Sequence, residues 1–453
     1  MRMAMRFGVG LSLVSAVGVT AMAVQAADEA PALPSALPRA LTDADFRPVR
    51  LDEAQLGQLL FYDPILSGNR EVACATCHHP AFGTSDGLSL GLGDGGRGLG
   101  PQRVADPDNL PEERVPRNAQ ALWNLGALEY ASMFHDGRVE VDHTRPNGMR
   151  TPLDEDMPVG FASMLAAQTM FPVVSPDEMA GHYQENEIST AVRLGMLSGP
   201  DGAWARLTAR VAGVPGYAER FAAVYPEIAA GRPIAFTDVS NAIAAFMEFE
   251  FRSDTAPFDA VLRGDDVLEP LAAEGMALFY GEAGCSGCHS GPFLTDHSFH
   301  AMGEPQFGPG KGARFERHHR DEGRFRVTGR EADWYAFRTP ALRNVALTGP
   351  YGHSGAHRTL EGFLADHTDG GAVARYGRDE AVLPELPVSD WGAMDDPEEV
   401  AAIEAAAYRG YQPDADQIAA LVAFLGSLTD PVAEAGRLGV PEAVPSGLTV
   451  PNP

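Results

Sequence analysis

The pattern of apolar and polar positions reads as helix along most of the chain. Between Leu51 and Tyr62, Leu56, Leu59 and Leu60 fall on one stripe at helical spacing. Thr237 stands as an N-cap before Val239, Ile243, Phe246 and Met247, which share a face. Ile418, Leu421, Val422, Leu425 and Leu428 form a closing helix that Pro431 stops. Two long Gly/Pro-rich stretches, Pro80 to Pro116 and Gly303 to Gly312, interrupt the helical segments. Loops of that length are uncommon in a compact domain unless they cover something. The expected class is mainly α, with an extended tail over 431–453.

Two stretches of the pattern echo each other. Gly57-Gln58-Leu59-Leu60-Phe61-Tyr62 and Gly275-Met276-Ala277-Leu278-Phe279-Tyr280 both read G-x-x-L-F-Y. Further on, Leu122-Trp123-Asn124 precedes His135-Asp136-Gly137, as Leu342-Arg343-Asn344 precedes His353-Ser354-Gly355. Pieces repeated in one order point to internal duplication.

The four cysteines follow the same duplication. Each echo leads into a C-x-x-C-H unit, Cys74-Ala75-Thr76-Cys77-His78 and Cys285-Ser286-Gly287-Cys288-His289. On a helical turn both sulfurs share a face and can form thioethers with one porphyrin, and the next residue can turn its imidazole onto the iron. Two covalent haem c groups follow, held by Cys74, Cys77 and His78 and by Cys285, Cys288 and His289. A zinc site pairing the two units would join distant parts of the chain and leave both histidines idle. A redox disulfide would sit in a βαβ pattern, which neither motif has. The expected architecture is therefore two cytochrome c-like haem domains, 51–255 and 256–430.

At the N-terminus, Arg2 and Arg6 precede an apolar run from Val9 to Val24, and Val24-Gln25-Ala26 fits a cleavage site. Residues 1–26 read as a signal peptide and 27–50 as an extended segment, so the expected location is the periplasm, with no membrane insertion after cleavage. The charge excludes other classes. With 34 Lys+Arg against 62 Asp+Glu, the net charge is -28 and no basic stripe exists for nucleic acid. Lys311 is the single lysine, so no polybasic membrane patch exists either.

With these motifs in place, the sequence resembles the bacterial dihaem cytochrome c peroxidase and MauG superfamily. The stretch from Phe337-Arg338-Thr339-Pro340 through Leu342-Arg343-Asn344-Val345-Ala346-Leu347-Thr348 to Pro350-Tyr351-Gly352-His353 is similar to its F-K-T-P-x-L-R-N-V-A-L-T-x-P-Y-x-H signature. The resemblance spans about Leu51 to Leu428. It implies hydrogen peroxide as substrate at the N-terminal haem, and a C-terminal haem that relays or stores oxidising equivalents. Gln168, Pro172 and Glu178 match the spacing of the family's peroxide pocket. A carboxylate there can take a proton from one peroxide oxygen and return it to the departing one; Gln168 would orient peroxide or water, and Pro172 would keep the pocket dry. The plainer role for Glu178 is that it opens a helix after Pro176, where an acid suits the dipole.

Departures from the family pattern lean towards MauG. No histidine lies between His79 and His135, so the loop after the first motif offers no distal imidazole and the first haem is expected to be open. Tyr335 stands where MauG-like proteins present a Tyr ligand to the second haem iron. Tyr oxygen favours oxidised iron, whereas Met sulfur raises the potential. The alternative is an aromatic cluster of Trp334, Tyr335 and Phe337, with Met302 or a nearby histidine as ligand. One departure weakens that lean: His135 replaces the family's interhaem Trp, and a structural hydrogen bond shared with His353 is its plainer role. Trp123 reads as core packing rather than a relay. Asn118 matches an Asn that in the family helps hold a calcium ion between the domains, or it is an ordinary loop Asn. His297, His300, His318 and His319 receive no role.

The function implied is a MauG-like, peroxide-dependent oxidation of a protein substrate. The alternatives are a cytochrome c peroxidase drawing on a small redox protein, and a dihaem electron carrier without peroxide chemistry.

Overall fold

The computed structural model describes residues 37–312, 316 and 318–453. The signal peptide expected over 1–26 lies outside the described residues. Among them, no helix is long and apolar enough to cross a membrane.

Two helix pairs organise the two cores. The helix Leu51–Tyr62 packs along Phe236–Glu250, and Pro270–Tyr280 packs along Ala415–Gly426. The repeated glycine sets both crossings. A Cβ on Gly57 would lie 1.8 Å from the Ala242 carbonyl oxygen, and one on Gly275 would lie 1.9 Å from that of Ala420. Only glycine allows backbones this close. The aromatic pair after each glycine meets a phenylalanine of the partner helix. Phe61 and Phe246 have ring centres 5.1 Å apart, and Phe279 and Phe424 have theirs 5.2 Å apart. Asn124 and Asn344 both take positive φ, and their N–H groups donate to Phe251 O and Leu428 O, one at the end of each partner helix.

Local chemistry explains where the helices begin. Asp414 and Gln417 form a reciprocal capping box for the closing helix, which ends at Gly426, before Pro431. The cap expected at Thr237 is displaced. That helix starts at Phe236, and Asp238 accepts from the Ala235 N–H at 2.8 Å, so Thr237 lies inside its first turn.

Strands are few. Ser132–Met133, Val139–Val141 and Met149–Arg150 form a small antiparallel sheet in sequence order, with Ser132 opposite Glu140 and Glu140 opposite Arg150. The segment 80–116 holds only 3₁₀ turns and two-residue strands, yet it buries Leu88, Leu90 and Leu92.

The tail differs from a plain extended chain. Asp430 caps one helical turn, Pro431–Ala435, and the remainder lies on the first core. Glu250 accepts the N–H groups of Arg437, Leu438 and Gly439; Gln58 donates to Leu438 and Gly439; Ser446 donates to Asp63; and Val444 is buried among first-core residues.

A buried network joins the halves. Arg117 bonds Asp321 in two places (2.6 and 2.8 Å) and Asp136 at 2.8 Å. Burial raises the Asp321 carboxyl, but Arg117 outweighs it and holds the group down to about 2. Asp136 is held below its ordinary range too. A depressed carboxylate stabilises fully above its unfolded value of about 3.9, and that contribution is lost as pH falls through the folded one. Scanning calorimetry should therefore show melting temperature falling between about pH 4 and pH 2, with a shallower fall for Asp321→Asn.

Candidate functional site

The helical turn Cys74–Cys77 carries the first attachment motif. The His78 N–H donates to Cys74 O at 3.0 Å, and ring Nδ1 donates to Thr84 O at 3.1 Å, which leaves Nε2 for a metal. The second motif repeats this arrangement on the 3₁₀ turn Cys285–Gly287. There the His289 N–H donates to Cys285 O at 2.9 Å and Nδ1 to Leu294 O at 3.1 Å. None of the four cysteines is disulfide-bonded. Cys74 packs on the first core and Cys285 on the second, so a shared four-cysteine zinc site is excluded. The donor sets fit haem c: two thiols on one turn and an imidazole tied back through Nδ1.

A cavity opens beside Cys74, Cys77 and His78, walled by Leu165, Ile243 and Met247. Gln168, Pro172 and Glu178 line this same cavity. Gln168 ends the helix Met164–Gln168, which Ser163 caps, and its Oε1 is buried without a hydrogen-bond partner. Pro172 opens the 3₁₀ turn Pro172–Val174. Glu178 does not open an α-helix. It sits in the π turn Pro176–Ala180, where the N–H groups of Glu178, Met179 and Ala180 all converge on Ser175 O.

Two ionisable residues of this cavity carried no signal in the sequence. Lys311 lines it, and burial followed by Arg138 and Arg117 push its ammonium down to about 8, with Glu178 acting in the opposite sense. Asp86 lines it too, and burial pushes its carboxyl up to about 7. Both sit in Gly-rich loops with no motif around them.

His135 also faces the cavity, with Nε2 bonded to Asn118 O at 3.2 Å. Burial and then Arg117 push its imidazole down to about 3, so it is neutral. His353 does not share that bond. Its ring stacks on Phe337 at 3.8 Å, and its carbonyl accepts from the Asn118 N–H at 2.9 Å. Asn118 thus links the two echoed histidines. Its amide nitrogen donates to Leu88 O and Ser89 O within the first half. Trp123 is buried edge-on against Phe251, as core packing.

Tyr335 is buried with its hydroxyl donating to Glu399 Oε1 at 2.7 Å, packed on Val373 and Ile403. The residue that faces His289 is His367, with ring centres 6.4 Å apart. These two imidazoles are placed so that both could hold one iron. His367 caps the C-terminal end of Leu360–Asp366 and lies over Phe363. Its Nδ1 is 3.4 Å from Glu304 Oε1, leaving Nε2 for the metal. Among the surface histidines, His297 bonds Glu129 and His300 bonds Asp296.

Comparison with known proteins identifies the family. The family model of di-haem cytochrome c peroxidases matches residues 52–267. The methylamine utilization protein MauG of Methylorubrum extorquens is 31% identical over 336 residues, covering 74% of this chain and 73% of that one. Cytochrome c551 peroxidase of Pseudomonas aeruginosa is 27% identical over 332 residues, covering 72% and 75%. Among solved structures, a MauG-like protein associated with microbial copper homeostasis matches with TM-score 0.57 and 25% identity, over 90% of this chain and 96% of that one. The diheme peroxidase BthA of Burkholderia thailandensis shares the fold, with TM-score 0.51, 22% identity and coverage of 88% and 93%. The chain, with its two haem c motifs, belongs to the dihaem cytochrome c peroxidase and MauG family.

Proposed function

We propose that the protein is an exported, periplasmic enzyme that reacts with hydrogen peroxide beside His78 and holds or relays oxidising equivalents at the His289 haem. One observation carries this reading: the cavity beside the first motif presents Glu178 together with a buried, unpartnered Gln168 oxygen. A haem there supplies the iron at which peroxide is cleaved. The Gln168 oxygen accepts a hydrogen bond from a peroxide O–H. The Glu178 carboxylate takes a proton from one oxygen and returns it to the other as it departs. Pro172 and the apolar wall exclude bulk water. The one further imidazole lining the cavity, His135, is engaged with Asn118, which supports an open first haem.

At the second haem, His289 and His367 are the residues that would hold the iron. Two imidazoles without a Met sulfur do not raise the potential, which suits a centre that stores oxidising equivalents. That favours MauG-like oxidation of an aromatic side chain in a protein partner. The matched glycine contacts and matched Asn turns support two halves related by duplication.

The test is the ferric EPR and optical spectrum before and after one equivalent of peroxide, with no reductant. The expected result is one high-spin haem beside one low-spin haem, with immediate reaction. Two low-spin haems inert until half-reduced would favour a peroxidase fed by a small redox protein, and inertness even then would leave an electron carrier. His367→Ala should convert the low-spin signal to high-spin, and added imidazole should restore it. A low-spin signal unchanged in that variant would return the ligand position to Tyr335 or Met302.

A further inference from the structure

Away from both motifs, three side chains converge behind the turn that carries Glu178. One ligand atom from each of Asp94, His182 and Glu185 lies within 4.8 Å of the other two. Asp94 is 1% exposed. Its Oδ2 accepts from Asn69 Nδ2 at 2.9 Å, while its Oδ1 is buried with no partner. Both ring nitrogens of His182 are buried without a hydrogen-bond partner, with Glu112 Oε1 3.9 Å from Nδ1. Glu185 Oε2 accepts from Asn69 Nδ2 at 2.9 Å and from the His182 N–H at 2.7 Å. Two carboxylates are thus drawn together by neutral donors, with an imidazole left over.

An orphaned buried oxygen beside two orphaned ring nitrogens is costly unless something binds them. A cation answers the oxygen and one of the two ring nitrogens at once. Carboxylate oxygens with one imidazole suit a first-row transition ion better than calcium or magnesium, which take all-oxygen shells. We propose that Asp94, His182 and Glu185 form a third metal site, for a divalent ion of the zinc class, with water completing the shell.

The position gives the site a purpose. The Asp94 N–H donates to Glu178 O at 3.0 Å, and the Gly68 N–H donates to Met179 O at 2.7 Å. Asn186, one residue beyond the last ligand, donates to Ala180 O at 3.0 Å. An ion held by residue 94 on one side and residues 182 and 185 on the other fastens both flanks of the π turn. It acts on Glu178 by positioning only.

The experiment uses the protein with both haems in place, stripped with chelator and titrated with zinc by calorimetry. Metal content is then counted after desalting. One zinc per chain is expected, with affinity at least tenfold weaker in His182→Ala and in Asp94→Asn while the haem spectra stay unchanged. X-ray absorption at the zinc edge should show a nitrogen and oxygen shell without sulfur. Failure to retain zinc, equal affinity in both variants, or a sulfur-containing shell overturns the proposal.

Discussion

Replacing Glu178 by Gln should lower peroxide turnover by about 10²-fold or more while leaving both haem spectra intact. The side chains have nearly the same shape, and the amide can still accept a hydrogen bond at the cavity wall. It cannot carry a proton from one peroxide oxygen to the other. The π turn is held by backbone bonds to Ser175 O, so the substitution disturbs no contact that shapes it. Steady-state turnover with a reduced electron donor, beside the optical spectrum of the resting protein, checks this. Activity within about threefold of the parent would remove Glu178 from the chemistry and leave it as a structural acid of the turn.

The largest expected loss of stability comes from Arg343. Its side chain and that of Asp259 are both 0% exposed, paired at 2.6 Å. The guanidinium also donates twice to Pro292 O, three residues beyond His289, and Asp259 accepts from the Ala256 N–H that starts Pro257–Arg263. One pair therefore ties a helix start to the loop after the second motif. Arg343→Met leaves a carboxylate buried and unpaired, which costs about 3–5 kcal/mol. Thermal melting of the second half should fall by roughly 10 °C. The double variant Arg343→Met with Asp259→Leu should recover part of that loss, because removing both charges also removes the desolvation penalty. Recovery of nothing would mean that the bonds to Pro292 carry the effect.

What could be read in the sequence was what short-range chemistry fixes. A C-x-x-C-H unit states its own geometry, since its ligands fall on one turn. The G-x-x-L-F-Y echo states a helix and a close crossing. Gln168, Pro172 and Glu178 lie within one short stretch, so their spacing survives folding, and they meet at one cavity wall. The ring that faces His289 is a different kind of fact. His367 stands at the end of Leu360–Asp366 and reaches His289 only through tertiary packing, with no signature around it, whereas Tyr335 had a register but its hydroxyl went to Glu399. Lys311 and Asp86 were hidden for the same reason, because loops without periodicity carry no direction. At Thr237 the error was local, since Asp238 is the better acceptor for the N–H before the helix.

The last residues of the chain have a consequence for assembly. Gln58 and Glu250 in the first half are satisfied by the backbone of Leu438 and Gly439, and Val444 fills part of the first core. During synthesis, that half must wait for the whole second half to emerge before its final pieces arrive. Joining Gln58 to Gly439 closes a very long loop, which is slow even when its equilibrium cost is modest. The half that carries the first attachment motif is thus the last to seal.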